Sequence, residues 1–331
     1  MSLLTQFGFG TFFTHFVIHS ISYGAFAPLK TFILSCLLPD AAVSCATESH
    51  GIRFKAEHNI DRDVTMIKKL LLSTLLFCGL ASAAPTPAPT STLDAVLERG
   101  VLRVGFDAGY QPFEMTNKQG QYIGFDVDLA KMVAKEMGVK VEFVNTAWDG
   151  IIPALLTNKF DVIMGGMTVT PQRNLRVNFA DPYIVVGQTI VLRKDKAGEI
   201  KSFQDLNDPK YKIAVKLGTT GEQAVKRLIP KATLLQFETQ DDAKLEVING
   251  KVDAFVYDLP YNAIFASQNQ GAVVHLDKPF TFEPLAWAIR KGDQDTLNWF
   301  NNYLRQIKGD GSYDRLYKKW FESTTWLNQL K

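Results

Sequence analysis

From Leu93 onward, short runs of β-branched and aromatic residues alternate with stretches in which apolar residues recur every three or four positions. The first pattern is that of strands buried in a sheet, and the second that of helices laid on one. The runs predict strands at Val101–Asp107, Lys140–Asn145, Val162–Met164, Thr189–Arg193, Lys212–Lys216, Thr233–Phe237, Ala254–Tyr257 and Leu285–Arg290. Between them the spacing predicts helices at Phe125–Met137, Gly150–Thr157, Gly221–Leu228, Ala243–Ile248 and Leu259–Ala266, with two more, Gln294–Lys308 and Ser312–Phe321, closing the chain. Such alternation argues an α/β architecture whose sheets are covered on both faces.

One theme occurs twice, at Val162–Arg173 and at Ile213–Val225: an apolar strand, a Gly/Thr turn, then a helix. The repetition predicts two similar lobes, residues 93–186 with 286–331 and residues 187–285. The chain would cross between them near Val185–Gln188 and return near Glu283–Ala286. A cleft between lobes is a natural ligand site, and in open α/β sheets ligands sit at the carboxyl ends of the strands.

Upstream the pattern changes. Met66-Ile-Lys-Lys69 precedes an apolar stretch, Leu70–Leu80, and then Ala81-Ser-Ala83. Basic, apolar and small residues in that order form a secretory signal. Residues 66–83 are therefore expected to be a signal peptide cut between Ala83 and Ala84, which marks the mature protein for secretion. A bilayer core takes about 20 apolar residues, so the run is too short to span. Cys78 does not make it a lipoprotein signal, because Phe77 stands where such signals carry a small residue. The Pro/Thr/Ala-rich residues 84–92 read as a flexible leader. Residues 1–65 show no sustained period; the expectation is that translation begins at Met66 and that this preface is not part of the native mature protein.

The 331 residues, 46% hydrophobic, suffice for about two domains. A formal net charge of +2 gives no electrostatic footprint for nucleic acid or an anionic membrane. Cysteines occur only at Cys36, Cys45 and Cys78, and beyond residue 84 the single histidine is His275. The mature chain thus lacks the residues for Cys/His zinc chemistry, and a Ser–His–Asp triad would have to use His275.

Three segments carry candidate chemistry. In Gly165-Gly-Met-Thr-Val-Thr-Pro-Gln-Arg173, Gly165 and Gly166 allow close approach to the main chain, Thr168 offers a donor and an acceptor, and Arg173 can grip a carboxylate through two parallel hydrogen bonds. Lys216-Leu-Gly-Thr-Thr-Gly-Glu222 follows a strand and opens a helix, where N–H groups near Thr219 and Thr220 attract an anion or a threonine simply caps the helix. It lacks the Gly-Lys-Ser/Thr ending of a phosphate-binding loop. Tyr257-Asp258-Leu-Pro260 ends another strand with an acid that can hold an ammonium group or cap the helix behind it. Asp107, Tyr110, Glu114 and Trp148 complete the set, with aromatic walls suited to an aliphatic or cationic ligand stem.

The order of motifs resembles the polar amino-acid-binding proteins of bacterial ABC importers, of the glutamine/histidine/lysine-arginine-ornithine-binding type. The resemblance runs from Leu93 to Phe321 and rests on Asp107-Ala-Gly-Tyr-Gln-Pro-Phe-Glu114, Gly124-Phe-Asp-Val-Asp-Leu129, Trp148-Asp-Gly-Ile-Ile-Pro-Ala-Leu155, Met167-Thr-Val-Thr-Pro-Gln-Arg173, Phe179-Ala-Asp-Pro182, Gly218-Thr-Thr220 and Gly311-Ser-Tyr-Asp-Arg-Leu-Tyr-Lys-Lys-Trp-Phe321. It implies a two-lobed periplasmic-binding-protein-like fold of type II, two α/β lobes joined by two hinge crossovers. It further implies a monomer with no cofactor, an amino acid as ligand and a membrane permease as partner.

By position, the resemblance gives Arg173, Thr168 and the backbone at Thr220 to the ligand's α-carboxylate, and Asp258, the Gly166 carbonyl and the Thr168 hydroxyl to its α-ammonium. Tyr110 and Trp148 would sandwich the ligand, while Asp107 and Lys216 would meet its side chain. Tyr257 departs from a histidine found in some members and leaves glutamine, glutamate and basic amino acids open. An acid beside a base best suits a neutral polar side chain such as glutamine's. Cyclohexadienyl dehydratases resemble these receptors over the same fold, and Glu222 lies near the place of their general acid, so an enzyme stands as the competing expectation.

Overall fold

The computed structural model describes residues 91–330. The expected signal peptide and the preface lie outside those residues, as does most of the expected leader. The leader's last two positions do not behave as one: Ser91 caps a helix, α1 (Thr92–Arg99), by accepting from the Asp94 N–H, and Gly100 ends it in the left-handed region at φ 70°. The Ser-x-x-Asp spacing and the terminal glycine are ordinary helix start and stop signals hidden by the Pro/Thr composition before them.

The chain continues through β1 (Val101–Phe106), β2 (Met115–Thr116), β3 (Tyr122–Ile123), α2 (Phe125–Glu136), β4 (Lys140–Asn145), α3 (Ile151–Leu156), β5 (Val162–Ile163), α4 (Pro171–Asn174), β6 (Val177–Phe179) and β7 (Ile184–Val186). It then runs through β8 (Gln188–Arg193), β9 (Lys212–Lys216), α5 (Thr220–Leu228), β10 (Thr233–Phe237), α6 (Gln240–Ile248), β11 (Ala254–Asp258), α7 (Leu259–Gln268) and β12 (Val273–Leu276). Last come β13 (Glu283–Leu285), β14 (Ala288–Arg290), α8 (Gln294–Gly309) and α9 (Ser312–Tyr317).

Two five-stranded sheets form, in the orders β4-β1-β5-β14-β6 and β10-β9-β11-β8-β12. In the first, β1 pairs in parallel with β4 and β5, and β14 enters antiparallel to β5 and β6. In the second, β9 pairs in parallel with β10 and β11, and β8 enters antiparallel to β11 and β12. The antiparallel strand of each sheet is the one that the chain enters on arriving from the other lobe. Strands β7 and β13 pair antiparallel as the two crossings, Glu283 opposite Val186 and Leu285 opposite Ile184. This is the two-lobed type II arrangement.

The central strands are buried throughout, as parallel strands covered on both faces must be: every residue of β11 is buried, as are four of the five in β9. The expected strand Leu285–Arg290 is broken at Ala286-Trp287. There the chain leaves the crossing ladder for the first sheet, with the Ala286 N–H donating to the Met167 carbonyl and the Trp287 carbonyl accepting from Ala180. All six residues are apolar or stem-like, so periodicity could not register the change of partner. The helix expected over Ser312–Phe321 stops at Tyr317 and continues as a wider turn over Lys318–Glu322.

Candidate functional site

The parallel strands of the two sheets end facing one another. Loops after β1 and β5, with the turn after β4, supply one wall; the ends of β9 and β11 supply the other. They line one narrow cavity. Asp107, Tyr110, Trp148, Gly166, Thr168 and Arg173 line it from the first side, and Lys216, Thr219, Thr220, Tyr257 and Asp258 from the second. Side chains far apart in sequence are thus brought to one place.

Local sequence explains how each is aimed. Thr170 caps α4 by accepting from the Arg173 N–H at 3.1 Å, and Pro171 occupies the first turn, so the Thr-Pro-Gln-Arg order fixes where the guanidinium leaves the backbone. Arg173 is only 8% exposed. It donates to the carbonyls of Thr168 at 3.0 Å and Gly218 at 3.1 Å, and lies 5.5 Å from the Trp148 ring centroid. Among the described residues it forms no ion pair. Burial pushes its pKa down, opposed by the charges of Glu283 and Asp258.

Asp258, 7% exposed, sits at the cap position of α7 without making the side-chain capping bond. Its oxygens instead accept from the Tyr110 hydroxyl across the cavity and from Gln188 Nε2. Burial pushes its pKa up to about 7, although the Tyr110 hydrogen bond favours the ionised form. Asp107 Oδ2 accepts from Lys216 Nζ at 2.7 Å and from the Trp148 N–H at 3.1 Å, and Lys216 also donates to Gln240. Thr219 behaves as a cap: its hydroxyl accepts from the Glu222 N–H and donates to the Lys216 carbonyl. Thr220 opens α5 with its hydroxyl 3.4 Å from that of Thr168.

One predicted residue is displaced. Gly165 does not line the cavity; a Cβ there would meet Phe106 Cβ at 2.7 Å and Glu114 Oε1 at 3.2 Å, so this glycine permits close packing behind the wall. Gly166, with φ +61° and the Tyr110 ring 2.3 Å from an added Cβ, is the glycine that faces inward. Sequence reasoning missed Gln188, which lines the cavity and bridges Asp258 to Thr220 Oγ1. A lone polar residue entering an apolar strand just past a glycine was the available signal. Glu222, the candidate general acid, does not line the cavity.

Behind Gly166 lies Asp126, fully buried, whose Oδ2 accepts from the Gly166 N–H at 2.8 Å and the Tyr183 hydroxyl at 2.7 Å. Burial pushes its pKa up to about 7 against both hydrogen bonds. An unfolded aspartate titrates near ~3.9, so between these values the folded protein holds a proton that the unfolded chain has released. Stability is therefore expected to fall as pH rises from about 4 to 7. Thermal unfolding of the ligand-free protein across that range checks this: Asp126→Asn should show a shallower decline, and an unaltered slope would remove Asp126 as a cause.

A profile of the bacterial extracellular solute-binding proteins, family 3, matches residues 102–323. The chain is similar to the crystal structure of the ancestral amino-acid-binding protein AncCDT-1, described as a precursor of cyclohexadienyl dehydratase, at 58% identity and a TM-score of 0.67 over 70% of this chain and 100% of that one. It is similar also to a protein of Wolinella succinogenes DSM 1740, taken for the binding component of an ABC transporter and solved in complex with lysine, at 54% identity and a TM-score of 0.67 over 70% and 99%. The ABC transporter glutamine-binding protein of Bacillus subtilis (strain 168) is 31% identical over 78% of this chain and 95% of its own. The cyclohexadienyl dehydratase of Pseudomonas aeruginosa is 26% identical over 76% and 94%.

Proposed function

Because the chain belongs to the bacterial extracellular solute-binding proteins, family 3, we propose that it captures a polar L-amino acid between its lobes and presents it to the permease of an ABC importer. The observation that carries this reading is the pairing, on opposite walls of one cavity, of a buried guanidinium, Arg173, with a buried carboxylate, Asp258, neither of which has an ionic partner among the described residues. An α-amino acid carries the two complementary charges on a single carbon. Its carboxylate goes to Arg173 and to the N–H groups opening α5; its ammonium goes to Asp258, whose two oxygens have lone pairs beyond those used by Tyr110 and Gln188. Such a ligand touches both lobes and so favours the closed form over the open one, the population shift that a permease can read. Solute-binding proteins of the family named above act outside the cytoplasm, in keeping with the signal peptide expected at residues 66–83. We take the protein to work there as a monomer.

The expectation of a glutamine-like side chain treats Asp107 and Lys216 as two separate contacts. In the structure they bond each other at 2.7 Å and present a neutral pair. Taken alone, that pair favours a neutral polar side chain.

A dehydratase on this fold would require an acid poised to donate a proton into the cavity. Glu222 accepts from the Gly218 N–H at 2.6 Å, from Gln236 at 2.6 Å and from Lys226 at 2.5 Å. Burial raises its pKa, but the Lys226 and Gly218 hydrogen bonds outweigh burial and hold it below the usual glutamate range. It is an ionised group that fastens the β9–α5 turn. Incubation with prephenate or arogenate is expected to give no dehydration, and Glu222→Gln is expected to leave amino-acid affinity within about threefold, less than one hydrogen bond's worth. Turnover abolished by Glu222→Gln would replace the proposal by an enzyme.

A further inference from the structure

We propose that the groove beside the crossing strand β7 is a second ligand site, one that takes a small, uncharged aromatic molecule and, when filled, favours the closed clamp.

The groove runs between the lobes. Phe321 and Trp326 line it from the end of the chain, Leu259, Ala263 and Ile264 of α7 line it from the other lobe, and Val185 of β7, 53% exposed, lies at the crossing between them. Among the described residues, none of those lining it carries a charge. The indoles add no free donor: Trp320 Nε1 donates to Asp128 at 2.9 Å, and Trp326 Nε1 donates to the Trp320 and Ser323 carbonyls at 3.1 and 2.8 Å. A charged occupant would lose its hydration there with nothing to replace it, whereas a neutral ring exchanges water for aromatic and aliphatic walls. Apolar, concave lining between two lobes is the ordinary make-up of a small-molecule site. The wider turn over Lys318–Glu322 serves it by burying Trp320 in the lobe while leaving Phe321 half-buried at the groove. Turns of that kind recur at functional sites.

Both walls are tied to the clamp. On one side the Phe321 ring meets Phe113 edge-on with centroids 5.3 Å apart, and Phe113 stacks on Tyr110 at 4.5 Å. On the other, Leu259 and Pro260 line the groove and follow Asp258 directly as the first turn of α7. The Tyr110 hydroxyl donates to Asp258 and so joins the two walls across the lobes. The element that both sites bias is therefore lobe closure itself. A molecule fitted to both walls meets them together in the arrangement that also holds Tyr110 against Asp258. Its binding favours closure, and closure around an amino acid tightens its binding by the same factor.

The test uses N-phenyl-1-naphthylamine, a neutral dye that brightens in apolar surroundings, titrated into the mature protein with and without a saturating amount of its best amino-acid ligand. One equivalent is expected to bind, and to bind at least about fivefold more tightly with the amino acid present, the lower end of ordinary coupling between sites. Ala263→Glu places a charge on the groove wall and is expected to abolish dye binding. Its amino-acid affinity without dye should stay within about threefold of the wild type, as for substitutions outside a binding site, which also shows that the variant folds. If it does not fold, Ser267→Glu, at an exposed position on the same wall, takes its place. No dye binding, dye binding that survives the charge, or dye affinity that the amino acid leaves unchanged or weakens overturns the inference and leaves the amino-acid-binding reading standing. If no amino acid binds, that reading falls by itself, and the loss or survival of dye binding in the variant still decides whether the groove is a site.

Discussion

Arg173→Ala is expected to weaken amino-acid binding by at least about thirtyfold, since losing one partner of a buried charged pair costs about 2–5 kcal/mol and each 1.4 kcal/mol is about tenfold. The size of the effect follows from where the guanidinium sits. It is buried, aimed by the Thr170 cap, and held by the Thr168 and Gly218 carbonyls, which use two of its donors and leave three. A carboxylate placed there receives charge-assisted hydrogen bonds with little reorganisation, and alanine leaves it buried and unmatched. Arg173→Lys keeps the charge but not the planar fork, so it should recover only part of the loss. Titration of the three proteins with the best wild-type ligand measures this. An alanine variant with undiminished affinity would remove the carboxylate half of the clamp.

Asp258→Asn is expected to cost as much at neutral pH and, in addition, to change the pH dependence. Burial raises the Asp258 pKa to about 7, assisted by the charge of Glu283 and opposed by the Tyr110 and Gln188 hydrogen bonds and by Arg173. The ammonium group of a ligand requires the ionised form. Below about pH 7 the free protein holds a proton at Asp258 that binding must expel, so affinity is expected to fall as pH drops, by up to about tenfold per unit. The asparagine variant isolates the share of the pH dependence that belongs to Asp258. Affinities between pH 5 and 8 should decline toward acid in the wild type and less steeply in Asp258→Asn; parallel profiles would show that Asp258 does not meet the ammonium.

Much of this architecture is legible in the residues themselves. Apolar strands ending in Gly, Thr, Asp or Lys mark both the sheets and the rim of the cavity, because a strand's last residue emerges where the next loop begins, and there side chains from separate strands converge. Pairing is what the chain does not display. Gln188 lies opposite Asp258 only because β8 runs antiparallel to β11, a register that neither segment encodes alone. Similarly, a run such as Leu285–Arg290 cannot announce that its first residue pairs with one ladder and its last with another. Glu222 illustrates a different limit: an acid near a turn looks equally suited to catalysis and to fastening, and only the donors around it tell which. Glu114 was visible as an acid after two aromatics, but not as one buried without a hydrogen-bond partner for its carboxylate among the described residues.

Calorimetric titration of the mature wild-type protein with each of the common L-amino acids tests the clamp most directly. One or a few related amino acids should bind at a single site with a dissociation constant well below millimolar. If none binds more tightly than millimolar, the opposed charges of Arg173 and Asp258 serve some other purpose and the account fails.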